Sequence, residues 1–542
     1  METRGDLASI LPFLPLVLRS SSLCWPSGAL GSLKALALGS DVSRIRSGEV
    51  LFDAILDLRE SLGLSSQPLA YGSASGFSSF FDELMSKEDS RIWFDNVVPE
   101  MARLLLQLPS LLESHYLKSD ELFSEGKSGI RIMGPQEPGR VFLSQELIAA
   151  LLSCAMFCLF PTSDRGFRGL PIINFDNLFA PLYWNEKQHQ VQKVKCIVHY
   201  FERITSKMLT GSVSFERKVL HVDNSDHGLA YSSTTYWRSS TTPLCPFEVF
   251  SEGLIEDQPY EAIEVDFANE YFGGGALGQG CVQKDKHYQH YLGISKQEEI
   301  RFMINPELIV GMLFLPSMNA NEAIEIVGVE RFSSYSGYGH SFQFMGDYQD
   351  NKPYDSMGRR KTWIVAIDAL CNPRMRQYGI EYLVRYALCN RLSETFPKHA
   401  KDIGNSESKG NPEGTSVSES SQARNFQGSR GIATGNWGCG AFGGDPEIKS
   451  MIQWLAASEG LRPFIHYYSF GEAALQKLEE ATRWILQHGW TVSDLWSMLA
   501  EYCDQRLSSK TFNGFFDWLL PFSANTSSRA LLFLVQTNLV AF

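Results

Sequence analysis

Cysteine and positive charge are both scarce in this chain of 542 residues. Its ten cysteines show neither the spacing of a secreted disulfide framework nor that of paired zinc ligands, so we expect a reducing compartment and no metal site. Acidic residues outnumber lysine and arginine by 61 to 48, which gives a net charge of −13. Because this charge repels a polyanion, direct nucleic-acid binding is not expected. A phosphate-bearing ligand would need backbone N–H groups, helix N-termini or a few placed cations.

Long hydrophobic runs are also missing, which argues against a membrane role. The apolar stretch Leu11–Leu18 contains two prolines and follows Glu2 and Asp6, a pattern that favours a buried segment over a signal peptide. The run Leu147–Phe160 is too short to span a bilayer. It predicts a core helix with Ser144 as its N-cap.

Hydrophobic periodicity divides the chain into three parts. Residues 1–220 repeat apolar positions at three- and four-residue steps, which predicts a helical accessory domain with helices at 47–62, 80–85, 93–112, 144–160 and 191–204. Residues 221–505 alternate strands with helices, which indicates an α/β domain. Its predicted strands are 262–267, 308–315, 323–329, 362–367 and 463–470, and its predicted helices are 297–305, 381–396 and 448–457. Residues 398–430 predict a disordered insert and residues 506–542 a C-terminal tail.

Polar side chains, three glycines and two carboxylates follow one predicted strand. The segment Glu264–Asn269 ends the strand, Gly273–Gly275 comes next, and Gln297-Glu298-Glu299 begins a helix. Ligands of α/β sheets bind beyond the carboxyl ends of the strands, and consecutive glycines let a backbone approach a diphosphate. The carboxylates are either ordinary helix N-terminal acids or acid–base groups for a glycosidic bond.

A second glycine-rich turn, Ala433–Asp445, leads into a helix that begins at Pro446. Such a turn either cradles a second phosphate at a helix N-terminus or serves only as a structural loop. Two such turns in one domain make a diphosphate site a better interpretation than either turn alone.

These motifs together resemble the poly(ADP-ribose) glycohydrolase family, and in particular its shorter plant-type members. The resemblance covers about residues 90–505 and rests on Gly253–Glu256, Val265–Asn269, Gly273–Gly275, Gln297–Phe302, Asn305–Leu308 and Thr434–Asp445. It implies a macrodomain, with a mixed sheet flanked by helices, after a helical accessory domain. It also implies hydrolysis of the ribose–ribose bonds of poly(ADP-ribose) to release ADP-ribose, with no metal and no cofactor.

The resemblance also implies roles for individual residues. Glu299 corresponds to the catalytic acid/base, and Glu298 to the carboxylate that holds a ribose hydroxyl, supported by Asp266 and Asn269. Gly273, Gly274 and Gly275 correspond to residues that face the diphosphate. Further residues that correspond to substrate-binding positions are Gln297, Asn436, Gly438, Gly440 and Phe442. Those that correspond to contacts of adenine or to a cover over the ligand are Ile255, Glu256, Tyr338 and Phe470. Taken alone, Tyr338 and Phe470 would more often be core aromatics.

One departure from the family pattern lies inside the signature motif. Residues 284–297 separate Gln283 from Glu298, and their removal would restore the family wording. The insertion either loops into solvent or distorts the site, which leaves open a catalytically impaired macrodomain that binds ADP-ribose without cutting the polymer. Expected partners are poly(ADP-ribose) and poly(ADP-ribosyl)ated proteins, and we expect a monomer without membrane association. The resemblance also implies residence in nucleus and cytoplasm and a part in the DNA damage response.

Overall fold

The computed structural model describes residues 4–122, 129–184, 188–220, 234–258, 262–278, 297–384, 430–440 and 442–520. The chain forms two compact units, each built from two separate segments of the sequence. The first unit contains Met1–Val219 and Asp266–Ala369, and the second contains Leu220–Val265 and Leu370–Phe542. The chain therefore leaves each unit and returns to it, so no single cut separates them.

Helices make up most of the first unit, as the spacing of its apolar residues predicts. Their bounds are α1 Gly5–Ile10, α2 Ser27–Ala37, α3 Ser40–Ser43, α4 Gly48–Ser61, α5 Ser73–Ser78, α6 Lys87–Ile92, α7 Val98–Leu122, α8 Gln145–Met156, α9 Asp176–Phe179, α10 Gln188–Ser206 and α12 Gln297–Ile304. Two π-helical turns, Ser79–Leu84 and Trp93–Val97, continue α5 and α6. The helices predicted before residue 220 are confirmed, with ends that differ by a few residues.

Strands of the first unit pair in antiparallel fashion. Their bounds are β1 Val17–Arg19, β2 Ser22–Cys24, β3 Gly139–Ser144, β4 Ser212–Val219, β7 Glu322–Val327, β8 Ser333–Ser336, β9 Gln343–Asp347 and β10 Trp363–Ala366. β3, β4, β7 and β10 lie side by side in that order, while β1–β2 and β8–β9 form separate pairs. The chain before residue 220 thus supplies strands as well as helices.

A buried ion pair joins β4 to β7. The side chains of Arg217 and Glu322 are completely buried, and Arg217 donates to the Glu322 carboxylate across 105 residues of sequence. A buried charge is costly unless it is paired, so the removal of either residue would leave an uncompensated charge in the core.

Helix α8 forms the centre of the first unit's core. All of its residues from Gln145 to Met156 are buried, and the Oγ of Ser144 accepts a hydrogen bond from the backbone N–H of Leu147 at 3.2 Å. The predicted core helix and its N-cap are therefore confirmed. Each fully buried leucine or phenylalanine side chain in this core stabilises the fold by about 1.5–3 kcal/mol.

The second unit alternates parallel strands with helices. Its strands β5 Phe247–Phe250, β6 Ala262–Asp266, β11 Gly431–Gly435 and β12 Ile465–Tyr468 lie in the order β6, β11, β12, β5. Its helices are α11 Thr234–Ser239, α13 Pro446–Glu459, α14 Leu478–Gln487, α15 Val492–Leu507 and α16 Phe515–Leu519. Antiparallel pairs in the first unit and parallel pairs in the second confirm the mixed strand directions.

The strand predicted at 308–315 is wrong. Residues Pro306–Leu313 form a 3₁₀ helix in which every residue is buried. Pro306 occupies the first turn, where its missing N–H costs nothing. A short run that is apolar on every side carries no periodicity that separates a strand from a buried helix. The other predicted strands are confirmed by β6, β7, β10 and β12.

Several predictions fall outside the described residues. They concern the insertion at 284–297 apart from its last residue, the insert at 398–430 apart from its last residue, most of the helix at 381–396, and the tail beyond 520. The domain boundaries at 220 and 505 stay predictions. In the described part of the chain, no helix combines the length and apolar character needed to cross a membrane.

Candidate active site

Three carboxylates and one arginine are buried together in the first unit. Asp266 is the last residue of β6, while Glu298, Glu299 and Arg301 lie on α12. None of the four is more than 6% exposed. Acidic side chains suit the N-terminus of a helix, but they are almost never fully buried unless paired. Three of them around one arginine favour the acid–base interpretation over that of ordinary N-terminal acids.

Glu298 fastens the glycine loop to the helix. Its Oε1 accepts from the N–H of Gly273 at 2.8 Å, and its Oε2 accepts from the N–H of Asn269 at 3.1 Å. The side chain of Asn269 in turn accepts from the N–H of Tyr271 at 3.1 Å. Asn269 thus contacts Glu298 through its backbone N–H, while its side chain binds the backbone of the loop. The predicted contact between Glu298 and a ribose hydroxyl stays a prediction.

Burial keeps a proton in this cluster near neutral pH. It raises the pKa of Asp266 to about 7, against the opposing effect of Arg301 and with a smaller contribution from Glu299. Burial, followed by the charges of Asp266 and Glu299, also raises the pKa of Glu298 well above its usual value. Neighbouring carboxyls in one buried site cannot all ionise, so they share protons as a group. A general acid needs such a proton at the working pH.

Asp266→Asn should stabilise the protein increasingly as pH rises. Both Asp266 oxygens are buried and have no hydrogen-bond partner among the described residues. Because the folded-state pKa of Asp266 is raised from 3.8 to about 7, the parent loses stability as pH rises through that interval. Asparagine does not titrate, so the difference in Tm between variant and parent should grow from pH 4.5 to pH 8. The corresponding difference in the free energy of unfolding should exceed about 1 kcal/mol, which a shift of less than one pKa unit already provides.

The matched control for this substitution is Asp53→Asn, at an exposed position on α4. It makes the same change of side chain outside the buried cluster, and its Tm is measured over the same pH range. If the difference in Tm between Asp266→Asn and the parent is constant or shrinks as pH rises, the assignment of a raised pKa to Asp266 is contradicted.

The glycine loop has a backbone that other residues would disturb. Gly273 and Gly274 have φ values of 87° and 48°. A Cβ at Gly274 would stand 2.5 Å from Oε2 of Glu298, and one at Gly273 would stand 2.8 Å from the ring of Phe302. The N–H of Gly275 has no partner among the described residues, and Gly275 is partly exposed. This N–H can therefore receive a phosphate oxygen.

Tyr338 stands in the turn between β8 and β9 and is 59% exposed. The flanking Gly337 and Gly339 have φ values of 75° and 62°, and the hydroxyl of Ser341 closes the turn on the backbone of Tyr338. The core interpretation of Tyr338 is therefore wrong, since the ring is open to a ligand or to solvent. Gln297 begins α12, and a contact through its side chain lies outside what the structure describes.

In the second unit, the glycine-rich turn after β11 is held on two sides. The side-chain amide of Asn436 donates to the carbonyl of Ser469 at 3.0 Å, and its oxygen accepts from the hydroxyl of Tyr467 at 3.1 Å. Gly438 has a φ of 71°, and its carbonyl accepts from the N–H of Gly444 at 2.9 Å. These bonds make Asn436 a residue that shapes the turn.

The same turn ends at the N-terminus of α13. Asp445 caps that helix by accepting from the N–H groups of Glu447 and Ile448. Gly440 has no atom within 4 Å of an added Cβ, which leaves open space beside it. The carbonyl of Phe442 accepts from the N–H of Asn372 at 2.8 Å. The predicted phosphate turn is thus anchored at both ends.

The residues predicted to contact adenine also lie in the second unit. Phe470 follows β12 with a φ of 50° and is 49% exposed, so the core interpretation of this ring is wrong as well. Ile255 and Glu256 form a buried 3₁₀ turn, and Oε1 of Glu256 has no hydrogen-bond partner among the described residues. A buried acceptor of this kind is costly unless a ligand donates to it.

Two buried cations were not predicted from the sequence. Arg301 lies three residues after Glu298 on α12, and that helical spacing could have indicated it. Lys193 lies on α10, and its Nζ donates to the carbonyl of Gly278 at 2.8 Å and to that of Gly275 at 3.5 Å. No local pattern links positions so far apart. Among the described residues, no group of three or more histidines, cysteines or acids is arranged to hold a metal ion.

Comparison with known families matches most of the chain. A model described as "Poly (ADP-ribose) glycohydrolase (PARG), Macro domain fold" matches residues 234–477. A second, described as "Poly (ADP-ribose) glycohydrolase (PARG), helical domain", matches residues 85–217. The predicted macrodomain and helical accessory domain are confirmed.

Two curated proteins of Arabidopsis thaliana are similar along almost their full length. Poly(ADP-ribose) glycohydrolase 1 is 49% identical, over 97% of this chain and 99% of the relative. Probable poly(ADP-ribose) glycohydrolase 2 is 48% identical, over 96% and 99%. A crystal structure of poly(ADP-ribose) glycohydrolase from Thermomonospora curvata with the inhibitor ADP-HPD is 15% identical over 44% of this chain and 79% of that one, with a TM-score of 0.22. A score that low does not support a superposition.

Proposed function

The chain belongs to the poly(ADP-ribose) glycohydrolase family, and from this premise we propose how its residues cut the polymer. It is a hydrolase that acts on poly(ADP-ribose). The bond cut is the O-glycosidic bond between two riboses, and the product is ADP-ribose. The observation that carries this mechanism is the burial of Asp266, Glu298 and Glu299 beside a glycine loop, a burial that raises the pKa of Asp266 to about 7.

Glu299 is the acid/base of the reaction. As the glycosidic bond breaks, Glu299 donates its proton to the departing ribose oxygen, while positive charge develops on the anomeric carbon. The resulting carboxylate then removes a proton from water as the water attacks that carbon. Glu298 binds the glycine loop and holds the ribose in position. The positive charge of Arg301 lowers the pKa of Asp266 and so opposes part of the effect of burial.

Phosphate and adenine are recognised by residues outside this cluster. In the first unit, the N–H of Gly275 is a donor for a phosphate oxygen. In the second unit, the turn from Asn436 to Asp445 has the phosphate-binding role that the family resemblance implies. Glu256 accepts from the exocyclic amine of adenine, and Phe470 stacks on the base. Tyr338, exposed in its hairpin turn, covers the bound ribose.

The direct test is incubation with labelled poly(ADP-ribose), with polymer binding and released ADP-ribose measured separately. Release of ADP-ribose supports the proposal. Binding without release would instead support the impaired macrodomain that the insertion at 284–297 suggests.

Phe470→Ala should weaken ADP-ribose binding by about 1–3 kcal/mol, the contribution of one base-stacking aromatic. Since Phe470 is already half exposed, its truncation should leave Tm almost unchanged. Titration calorimetry and a melting curve check the two expectations. The matched control is Phe512→Ala, in a loop of the same unit, where the ring is 80% exposed. Equal ADP-ribose affinity in the two variants would remove Phe470 from the binding site.

Residence in nucleus and cytoplasm, a part in the DNA damage response and a monomeric state are further proposals. They rest on the family resemblance. A fluorescent fusion of the full chain, followed before and after DNA damage, and light scattering of the purified protein test them.

A further inference from the structure

A buried lysine holds the end of the glycine loop. Lys193 is 1% exposed, and its ammonium group donates to the carbonyl oxygens of Gly278 and Gly275 at 2.8 and 3.5 Å. The same Gly275 carbonyl accepts from the N–H of Gly278 at 2.9 Å. The lysine thus closes the last turn of the loop just before the chain leaves the described residues at 278.

The position of this lysine on its helix is unusual. Helix α10 buries one face, marked by Gln190, Val194, Ile197 and Phe201, and Lys193 lies within that face. A lysine is rarely buried because its charged group must leave water, and it is tolerated where strong acceptors replace the water. The two loop carbonyls are such acceptors.

These bonds fix the peptide group that follows Gly275. A peptide group contains the C=O of one residue and the N–H of the next, and the two point in opposite directions. The C=O of Gly275 accepts from Lys193, and the N–H of Ala276 in the same peptide group donates to the carbonyl of Gly273. The N–H of Gly273 is bound by Glu298, whereas that of Gly275 has no acceptor among the described residues and can meet a ligand.

Charge gives the lysine a second effect. The loop lies beside Glu298, Glu299 and Asp266, in a protein whose net charge is −13, so a diphosphate would meet repulsion there. The buried ammonium group of Lys193, which is hydrogen-bonded to the loop, opposes this repulsion, because Coulomb interactions are stronger where water is excluded.

We propose that Lys193 is a positioning residue for the diphosphate of the substrate: it binds the carbonyls of Gly275 and Gly278, holds the glycine loop in the conformation that leaves the N–H of Gly275 available to the phosphate, and offsets the nearby carboxylates. This inference rests on the proposed function and extends it. It also gives the helical part of the chain a direct role in substrate binding, since α10 precedes the macrodomain match.

The test compares three variants on the same helix. Lys193→Met removes the charge and keeps the length, Lys193→Arg keeps the charge, and Lys195→Met removes a charge from an exposed position. Affinities for ADP-ribose and for adenosine, which lacks phosphate, are measured by calorimetry on the full chain, together with kcat and KM on polymer.

Lys193→Met should bind ADP-ribose about tenfold more weakly or worse, the effect of losing charge-assisted hydrogen bonds, while its adenosine affinity stays at the parent value. Its KM for polymer should rise more than its kcat falls, and Lys193→Arg should recover part of the ADP-ribose affinity. Lys195→Met should match the parent throughout.

Equal losses for ADP-ribose and adenosine would overturn the proposal and show a purely structural role. If Lys193→Met does not fold, the affinities of Lys193→Arg for ADP-ribose and for adenosine are compared instead. Because arginine repositions the charge, the proposal requires a change in ADP-ribose affinity that adenosine does not show. A parent protein that binds ADP-ribose in this pattern but releases none from polymer would refute the proposed function and leave the role of Lys193 intact.

Discussion

Glu299→Gln should lower turnover of poly(ADP-ribose) by about 10²–10⁴-fold while ADP-ribose binds with nearly parental affinity. Glutamine keeps the shape of this buried side chain at the start of α12 but cannot transfer a proton. The measurement is single-turnover release of ADP-ribose, with affinity determined separately. A variant that turns polymer over at the parental rate would exclude Glu299 as the acid/base.

Glu298→Gln is the informative comparison. Both Glu298 oxygens accept backbone N–H groups, so an amide would place one NH₂ group against an N–H donor. This variant should lose ADP-ribose affinity as well as turnover, because the glycine loop is no longer fastened. The contrast between the two neighbouring glutamates separates proton transfer from loop geometry.

Gly274→Ala should reduce turnover by about a hundredfold, the cost that a displacement of about 1 Å imposes on a catalytic group. The new Cβ would stand 2.5 Å from Oε2 of Glu298, and φ at this position is 48°. The carboxylate or the loop must therefore move. Turnover and Tm are measured together, since a side chain in left-handed backbone also costs stability.

Gly63→Ala is the matched control in the same unit, at a glycine with a φ of 72°. No atom lies within 4 Å of a Cβ at Gly63, so this substitution adds left-handed strain without a close contact. It should keep turnover within a few-fold of the parent. If Gly274→Ala and Gly63→Ala turn polymer over at the same rate, the close approach of Glu298 to the loop has no catalytic importance.

The carboxylate cluster could be located from sequence because its parts mark the ends of regular elements. A polar residue closes a strand at Asp266, and two acids open a helix at Glu298 and Glu299, so periodicity and spacing fix where each side chain starts. Their burial could not be predicted, since acids at a helix N-terminus are usually exposed. It depends on the packing of α12 against distant segments.

Other features needed information that no short stretch of sequence contains. The contact of Lys193 with Gly275 and Gly278 spans more than 80 residues, and the sequence around neither partner predicts it. The strand predicted at 308–315 is wrong because a short run that is buried on every side has no periodicity that distinguishes a helix from a strand. Phe470 is half exposed and has a left-handed backbone after β12, and neither property is predicted by an aromatic residue.

The ion pair between Arg217 and Glu322 has a consequence for biosynthesis. When a ribosome has just made β4, the acid that neutralises Arg217 is still 105 residues away, which amounts to about 5–20 s at usual rates of synthesis. During that interval the nascent chain carries an arginine meant for burial and one open strand edge, since β4 can pair with β3 but not yet with β7. The helical part therefore cannot mature as translation passes residue 220, and a fragment ended there would expose an edge that invites aggregation.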